Sequence, residues 1–162
     1  MKKIILLFAA LTTIATVSAE VSTPELDFNA GTSETYEVGD IITVNGQRGV
    51  VFVVSPDGMH GMVLSLDCCY EVTWYEATEW AGSYPGWRLP SFKEFGRLRE
   101  VLEEVNTALI INTGKFIGDD IYWTSEFPDS SYEWTNACRV GTHSGIGTSA
   151  YNHFAARAVS AF

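Results

Sequence analysis

The sequence predicts an α+β domain with antiparallel sheets and two helices, because strand-like and helix-like segments occupy separate stretches of the chain. Runs rich in β-branched and aromatic residues fill residues 41–66 and return after residue 120. Between them lie two stretches with helical spacing of apolar residues, each preceded by a capping box. The order of strands, then helices, then strands is typical of this class rather than of a parallel α/β fold.

The first residues indicate export. Lys2 and Lys3 precede an almost continuously apolar run at residues 4–15, and small residues follow at 17–19, where signal peptidase cleaves. The run is shorter than the roughly 20 residues that span a bilayer, so we expect no stable membrane insertion. The expected segments are a signal peptide at 1–19, a flexible leader at 20–35 and one folded domain at 36–162. The mature protein is then expected in the periplasm or at the cell surface.

The charge of the chain argues against nucleic acid as a partner. Twenty acidic residues face 10 basic ones, for a net charge of −10, and loss of Lys2 and Lys3 with the signal makes the mature chain more negative. Such a surface repels phosphate backbones, so we expect no nucleic-acid partner.

The histidines do not indicate a metal site. His60, His143 and His153 lack both helical i,i+4 spacing and a neighbouring Cys-x-x-Cys pair, so we expect no metal and no cofactor.

Three strands are predicted at the start of the domain. Residues 41–44 precede Asn45-Gly46, the strongest short signal for a hairpin turn, and the apolar run at 49–54 follows it. A second turn at 55–58 leads into a third strand at 60–66. These segments predict an antiparallel meander.

Each predicted helix begins with a capping box. Thr73 is followed by Glu76, and Ser91 is followed by Glu94. The second helix carries one long apolar stripe, formed by Phe95, Leu98, Leu102, Val105 and Leu109. This spacing predicts a single amphipathic helix that lies on a sheet with its charged side in water.

The end of the chain predicts three more strands, at 121–125, 132–140 and 154–162. In the last, Phe154, Ala156 and Ala158 alternate with Ala155, Arg157 and Val159. We expect this segment to be one continuous strand that closes the domain. Residues 141–152, between the last two strands, are expected to form loops.

Three ordered motifs carry a family resemblance. They are Gly86-Trp87-Arg88-Leu89-Pro90-Ser91 before a helix, Tyr122-Trp123-Thr124-Ser125 in a strand, and Ala156-Arg157-Ala158-Val159 near the end. Together they resemble a family of small secreted bacterial domains of C-type-lectin-like fold, known by a WRLP helix start and a YW-S-S strand and described as a domain of unknown function. The upstream half is similar to secreted members from Bacteroides-type gut bacteria. The resemblance covers residues 36–162 and implies a C-type-lectin-like architecture.

The activities of proteins with that fold do not carry over to this chain. Calcium-dependent lectins use a Trp-Asn-Asp triplet, whereas here Trp134-Thr135-Asn136 is followed by Ala137. Formylglycine-generating enzymes use two late cysteines in a much longer chain, and here Cys138 alone is late. The missing motifs and the short chain therefore disfavour an enzyme, although the fold by itself does not decide the function.

Several residues have two interpretations at this stage. Cys138 either forms a disulfide with Cys68 or Cys69, or all three cysteines stay reduced and act as small apolar residues. Arg88 and Arg157 are expected to be partly buried and to need an acidic or carbonyl partner. The aromatic residues expected in the core are Trp74, Trp87, Phe95 and Trp123.

The region 127–152 combines aromatic side chains with polar neighbours, which is the combination that glycans and protein partners contact. The candidate ligand-binding residues are Asp129, Tyr132, Trp134, His143 and Tyr151. They predict a secreted, non-catalytic recognition module that binds a glycan or a protein through late loops. The alternatives are a structural subunit of a surface assembly or fimbria-like appendage, and an enzyme of the formylglycine-generating type.

Overall fold

A computed structural model of the chain describes residues 35–126 and 134–162. The predicted signal peptide, nearly all of the predicted leader and the candidate residues Asp129 and Tyr132 lie outside the described residues. In the order of the chain, the elements are β1 Ile41–Val44, β2 Gln47–Val54, β3 Gly61–Ser65, β4 Cys69–Val72, α1 Trp74–Gly82, α2 Phe92–Glu100, α3 Leu102–Thr113, β5 Ile121–Trp123, β6 Trp134–Arg139, β7 Ser144–Ser149, β8 Phe154–Ala156 and β9 Val159–Ala161.

The strands form two sheets, and the α+β class is confirmed. One sheet has the order β1-β2-β3-β9 and is antiparallel throughout. The other has the order β4-β8-β5-β6-β7 and is mixed, because β5 and β8 run parallel. The expectation of antiparallel sheets alone is therefore wrong for this one pair.

The first hairpin forms as predicted. Asn45 and Gly46 both have positive φ angles, 49° and 86°, which a two-residue type I′ turn requires. Val44 pairs with Gln47 directly beside the turn, so that the turn fixes the register of the whole hairpin.

Both capping boxes are present. Thr73 accepts a hydrogen bond from the backbone N–H of Glu76 at 3.3 Å, and Ser91 accepts one from that of Glu94 at 3.2 Å. Each glutamate in turn accepts the backbone N–H of its cap residue, so that two otherwise unpaired donors are satisfied at each helix start.

The single long second helix is a wrong prediction. Val101 has φ −122° and ψ 25°, outside the helical region, and it divides the segment into α2 and α3. Valine is stiff at its branched carbon and is a modest helix former, so a break costs little here. The break lets α2 and α3 each direct part of the same apolar stripe, with Leu98 and Val105 both buried, into one core.

The single closing strand is also wrong. Residues 154–162 form β8 and β9, which belong to different sheets. The alternation itself holds, since Ala156 and Ala158 face one core cluster while Ala155 and Val159 face the other. Both faces are buried because the segment passes between the two sheets.

The two arginines differ. Arg157 is fully buried, and its Nη1 donates to the carbonyls of Ser65 at 2.7 Å and Leu66 at 3.0 Å, as predicted. Arg88 has the predicted acidic partner, Glu94, at 2.6 Å, but 53% of its side chain is exposed. Arg88 is therefore partly buried, which agrees with the expectation, and its partner Glu94 at the start of α2 is only 13% exposed.

Of the aromatic residues expected in the core, three are buried, namely Trp87, Phe95 and Trp123, and Trp74 is partly buried.

The expected loop at 141–152 is wrong in part, because residues 144–149 form β7. Every residue of β7 pairs with β6, from Trp134 with Ser149 to Arg139 with Ser144. The glycine- and serine-rich sequence of this segment does not predict a strand, and the strand forms because its backbone pairs with β6.

Candidate functional site

Two adjoining open clefts share Tyr70, Asp119 and Asp120, and we call them together the Tyr70 groove. The first has a volume of about 660 Å³ and is bounded by the segment from Gly114 to Asp120 and by Gly141. The second has a volume of about 430 Å³ and is bounded by Glu71, Arg139 and His153. The groove therefore brings together residues from five separate stretches of the chain, at positions 70–71, 102, 114–121, 139–141 and 153–155.

Strand β4 presents Tyr70 at the groove. The pairing of β4 with β8 is irregular between Cys69 and Val72, and Glu71 takes a left-handed φ of 53°. A non-glycine residue with positive φ is uncommon and is enriched at functional positions. Tyr70 itself is 43% exposed, so its ring is open to a ligand.

The opposite wall is a loop that α3 holds in place. Asn106 donates from Nδ2 to the carbonyl of Ile117 at 3.0 Å and accepts the backbone N–H of Ile117 at 2.7 Å. Ile117 is buried, whereas its neighbour Phe116 is 57% exposed. The loop is thus anchored at one residue and offers a second aromatic ring to the groove.

Charges of both signs line the groove. The Nζ of Lys115 lies 5.2 Å from the centre of the Tyr70 ring, a cation–π contact that orients both side chains. Arg139 donates from Nη1 to the carbonyl of Asp119. With Asp119 and Asp120 also present, the groove offers both hydrogen-bond donors and acceptors within reach of exposed aromatic rings.

Buried polar groups lie behind Tyr70. Burial raises the pKa of both Tyr70 and Cys68, and the nearby charge of Arg157 opposes that shift in each. Among the described residues, the Tyr122 hydroxyl and the Nε and Nη2 of Arg157 are buried without a hydrogen-bond partner. Buried donors of this kind are costly, so these atoms form a polar region within an otherwise apolar core.

All three cysteines are free thiols in the structure, which corresponds to the second of the two alternatives set out above. Burial raises the pKa of the thiols of Cys68 and Cys69 above the ordinary value, and it raises the pKa of Cys138 to about 11. A nucleophilic cysteine needs the opposite shift, because the thiolate is the reactive form.

His143 is not an open loop residue. Its ring stacks on that of Phe92, with centres 4.2 Å apart and planes at 19°, and its Nε2 lies 3.0 Å from the carbonyl of Phe92. The histidine therefore ties the β6–β7 turn to the start of α2. That His143 also contacts a ligand stays a prediction.

Tyr151 is the predicted candidate that the structure places at the surface. It is 53% exposed and lies beside Tyr75, with ring centres 5.7 Å apart. Trp134 begins β6, where it pairs with Ser149. The structure does not bring Tyr151 to the Tyr70 groove, so the two are separate candidate surfaces.

The sequence did not single out Tyr70, Asp119 or Asp120 as candidate site residues. Tyr70 follows two cysteines and lies in a strand whose partner, β8, is more than 80 positions further along the chain. The available signal was the loop at 114–120, which combines two glycines, an aromatic residue, a lysine and two aspartates in seven positions. Such a composition is typical of binding loops.

The described residues contain neither a cluster of metal ligands nor a membrane-spanning helix. Within residues 35–126 and 134–162, no three side chains of the histidine, cysteine, aspartate or glutamate type gather as metal ligands would. No helix in those ranges combines the length and apolar character needed to cross a membrane.

A comparison of the chain with models of known protein families and with curated protein sequences finds no match in either.

Proposed function

We propose that this protein is an exported, non-catalytic recognition module of C-type-lectin-like architecture that binds a glycan in the Tyr70 groove. The observation that carries the proposal is the groove itself, in which two exposed aromatic rings, Tyr70 and Phe116, stand beside the carboxylates of Asp119 and Asp120. The site differs from the late loops that the sequence alone favoured.

The chemistry of the groove suits a sugar. An aromatic ring can pack against the apolar face of a pyranose, while carboxylates and amines bond its hydroxyls. Lys115 and Arg139 balance part of the acidic charge, which favours a ligand rich in hydroxyls over a strongly charged one. The openness of both clefts to solvent also fits a ligand that is part of a longer chain.

Two further points support a binding role outside the cytoplasm. The apolar run at residues 4–15 with its cleavage residues favours export to the periplasm or cell surface. The raised pKa values of the three thiols argue against cysteine-based chemistry of the formylglycine-generating type.

The test is a glycan array probed with the purified protein, with and without calcium. Tyr70→Ala removes the ring, Tyr70→Phe keeps it, and Tyr151→Ala removes the exposed ring at the other candidate surface. Circular dichroism confirms that each variant is folded. We expect binding that Tyr70→Ala abolishes and that Tyr70→Phe and Tyr151→Ala retain.

The other outcomes decide against the proposal. A blank array in both buffers contradicts a glycan ligand and leaves a protein ligand as the form of the proposal to test next. Binding that Tyr151→Ala abolishes, with Tyr70→Ala unaffected, returns the site to the late region predicted from sequence.

The edge strand β7 favours one second candidate, a structural subunit of a surface assembly. β7 has six residues, none of them charged or proline, and it pairs with β6 at the border of its sheet. Such an edge can accept a strand from a neighbouring molecule.

Light scattering over a dilution series tests this self-assembly. The blocking variant is Gly147→Lys, which places a charge on β7 without a clash inside the chain, since a Cβ at Gly147 meets no atom within 4 Å. Oligomers that this variant disperses would support the candidate, and a monomer throughout would exclude self-assembly through β7.

A further inference from the structure

We infer that a second surface, the α3 cleft, docks a basic and aliphatic segment of a partner protein. The cleft has a volume of about 710 Å³ and is separate from the Tyr70 groove in all of its lining residues. It lies between α3 and the backbone that leads into β1. Its lining residues are Val38, Gly39, Glu103, Glu104, Thr107, Ala108, Ile111 and Asn112.

The backbone at Gly39 forms one wall of the cleft. Its N–H donates to the carbonyl of Val51 at 2.9 Å, so this segment is fixed to the first sheet. Gly39 has a φ of +97°, which strongly favours glycine, and a Cβ added there would lie 3.9 Å from the carbonyl of Glu104. The wall and the helix are therefore both held by hydrogen-bonded structure, and the cleft between them is preformed.

The outer wall is apolar and unusually open. Ile111 is 77% exposed, the highest value for a large apolar side chain among the described residues. Val38 and Ala108 form the inner part of the apolar lining, and Ala108 also belongs to the hydrophobic core. An aliphatic side chain seated between these residues would remove apolar surface from water on both partners.

The negative charge at the cleft favours a basic occupant. Glu103 and Glu104 line it, and in the described part of the chain neither forms an ion pair. Arg48 reaches the other end, where its Nη2 donates to Oδ1 of Asn112 at 3.2 Å. A segment with a lysine or arginine at one end, directed toward the two glutamates, matches this arrangement.

Two other occupants are disfavoured by charge. A second copy of this chain would bring a net charge of −10 against a surface that is already acidic. The chain's own leader carries Glu20, Glu25, Asp27 and Glu34 and no basic residue between positions 20 and 34. A basic partner is the one that this cleft attracts.

The test is selection of a phage-displayed library of random dodecapeptides on the immobilised full chain. Binding of the enriched peptides is then measured on four variants. Ile111→Ser and Glu104→Lys alter the cleft. The matched controls are Ile110→Ser, an exposed isoleucine of α3 that does not line the cleft, and Glu79→Lys, an exposed glutamate of α1.

The inference predicts enriched peptides that combine aliphatic and basic residues. Ile111→Ser and Glu104→Lys should each weaken them at least about tenfold, while the controls change binding less than about twofold. The inference is overturned if no peptide class is enriched, if the enriched peptides are acidic, or if Ile110→Ser and Glu79→Lys weaken binding as much as the cleft variants do. Because the surface is separate from the Tyr70 groove, a blank glycan array does not affect this result.

Discussion

The Tyr70 groove and the α3 cleft are built in different ways. The groove joins β4, the loop at 114–120, the end of β6 and the start of β8, and the charge of the fully buried Arg157 acts on Tyr70. The cleft needs one helix and the short segment before β1. The groove therefore depends on contacts between distant parts of the chain, whereas the cleft depends on the helix and its local supports. Changes to buried long-range contacts should damage the groove first.

Removal of the buried guanidinium should have the largest effect. Arg157→Ala removes the guanidinium that donates to the carbonyls of Ser65 and Leu66 and leaves a buried cavity in its place. We expect a loss of about 3 kcal/mol in the free energy of unfolding. Urea denaturation measures it, with Arg97→Ala, an exposed arginine of α2, as the control. Equal stability of the two variants would mean that the hydrogen bonds of Arg157 do not stabilise the fold on which the groove depends.

Asn106 can separate the two surfaces experimentally, because it lies on α3 but holds Ile117 in the loop that lines the Tyr70 groove. Asn106→Ala removes both hydrogen bonds to Ile117 and should cost about 2 kcal/mol of stability. We expect weaker glycan binding in the Tyr70 groove and unchanged peptide binding in the α3 cleft. Titrations of both ligands on the same variant measure this, and parallel losses at both surfaces would show that the two are not independent.

The helix caps should have a smaller effect. Ser91→Ala removes the hydroxyl that accepts the N–H of Glu94 at the start of α2, and Thr73→Ala does the same at α1. Each should lower the free energy of unfolding by about 1 kcal/mol. Ser91→Thr keeps a capping hydroxyl and serves as the control. Thermal and urea denaturation measure all three, and a Ser91→Ala variant as stable as the parent chain would contradict the role of this cap.

The smallest expected effect is a pH dependence at the start of α2. Burial by itself would raise the pKa of Glu94, but hydrogen bonds from Arg88 and from the Ser91 backbone bring the pKa below its ordinary value of 4.5. As pH falls, the unfolded chain therefore takes up this proton before the folded chain does. The associated stability is present above about pH 4.5 and is lost below it.

Urea denaturation between pH 7 and pH 3 tests this sign. Glu94→Gln should be less stable than the parent chain at pH 7 and should show a shallower loss on acidification. Glu100→Gln, at an exposed position near the end of α2, is the matched control. A loss of the same steepness in Glu94→Gln would show that other carboxyl groups account for the acid response.

Elements with strong local signals could be predicted from the sequence. The Asn45-Gly46 turn fixed the first hairpin, and the capping boxes at Thr73 and Ser91 fixed two helix starts, because each signal acts through neighbouring backbone groups. The break at Val101 could not be predicted, since it arises from how two parts of one apolar stripe reach the core.

The strands β7, β8 and β9 were harder to predict for the same reason, since they also depend on contacts with other parts of the chain. β7 contains serine, glycine and threonine with a single isoleucine, and its structure comes from pairing with β6. Residues 154–162 divide between two sheets at Arg157, whose hydrogen-bond partners are about 90 positions earlier. The candidate site followed this pattern, because Tyr70 and Asp119 meet only in the folded chain.

The most direct test of the Tyr70 groove is chemical-shift mapping of the isotopically labelled protein with the glycan that binds best on the array. We predict that the perturbed backbone resonances cluster at Tyr70, at residues 114–120 and at Gly141, and that Ile111 and Thr107 in the α3 cleft are unaffected. Perturbations centred instead on Tyr75 and Tyr151, with none at Tyr70, would contradict the account and place the recognition surface at the late aromatic residues.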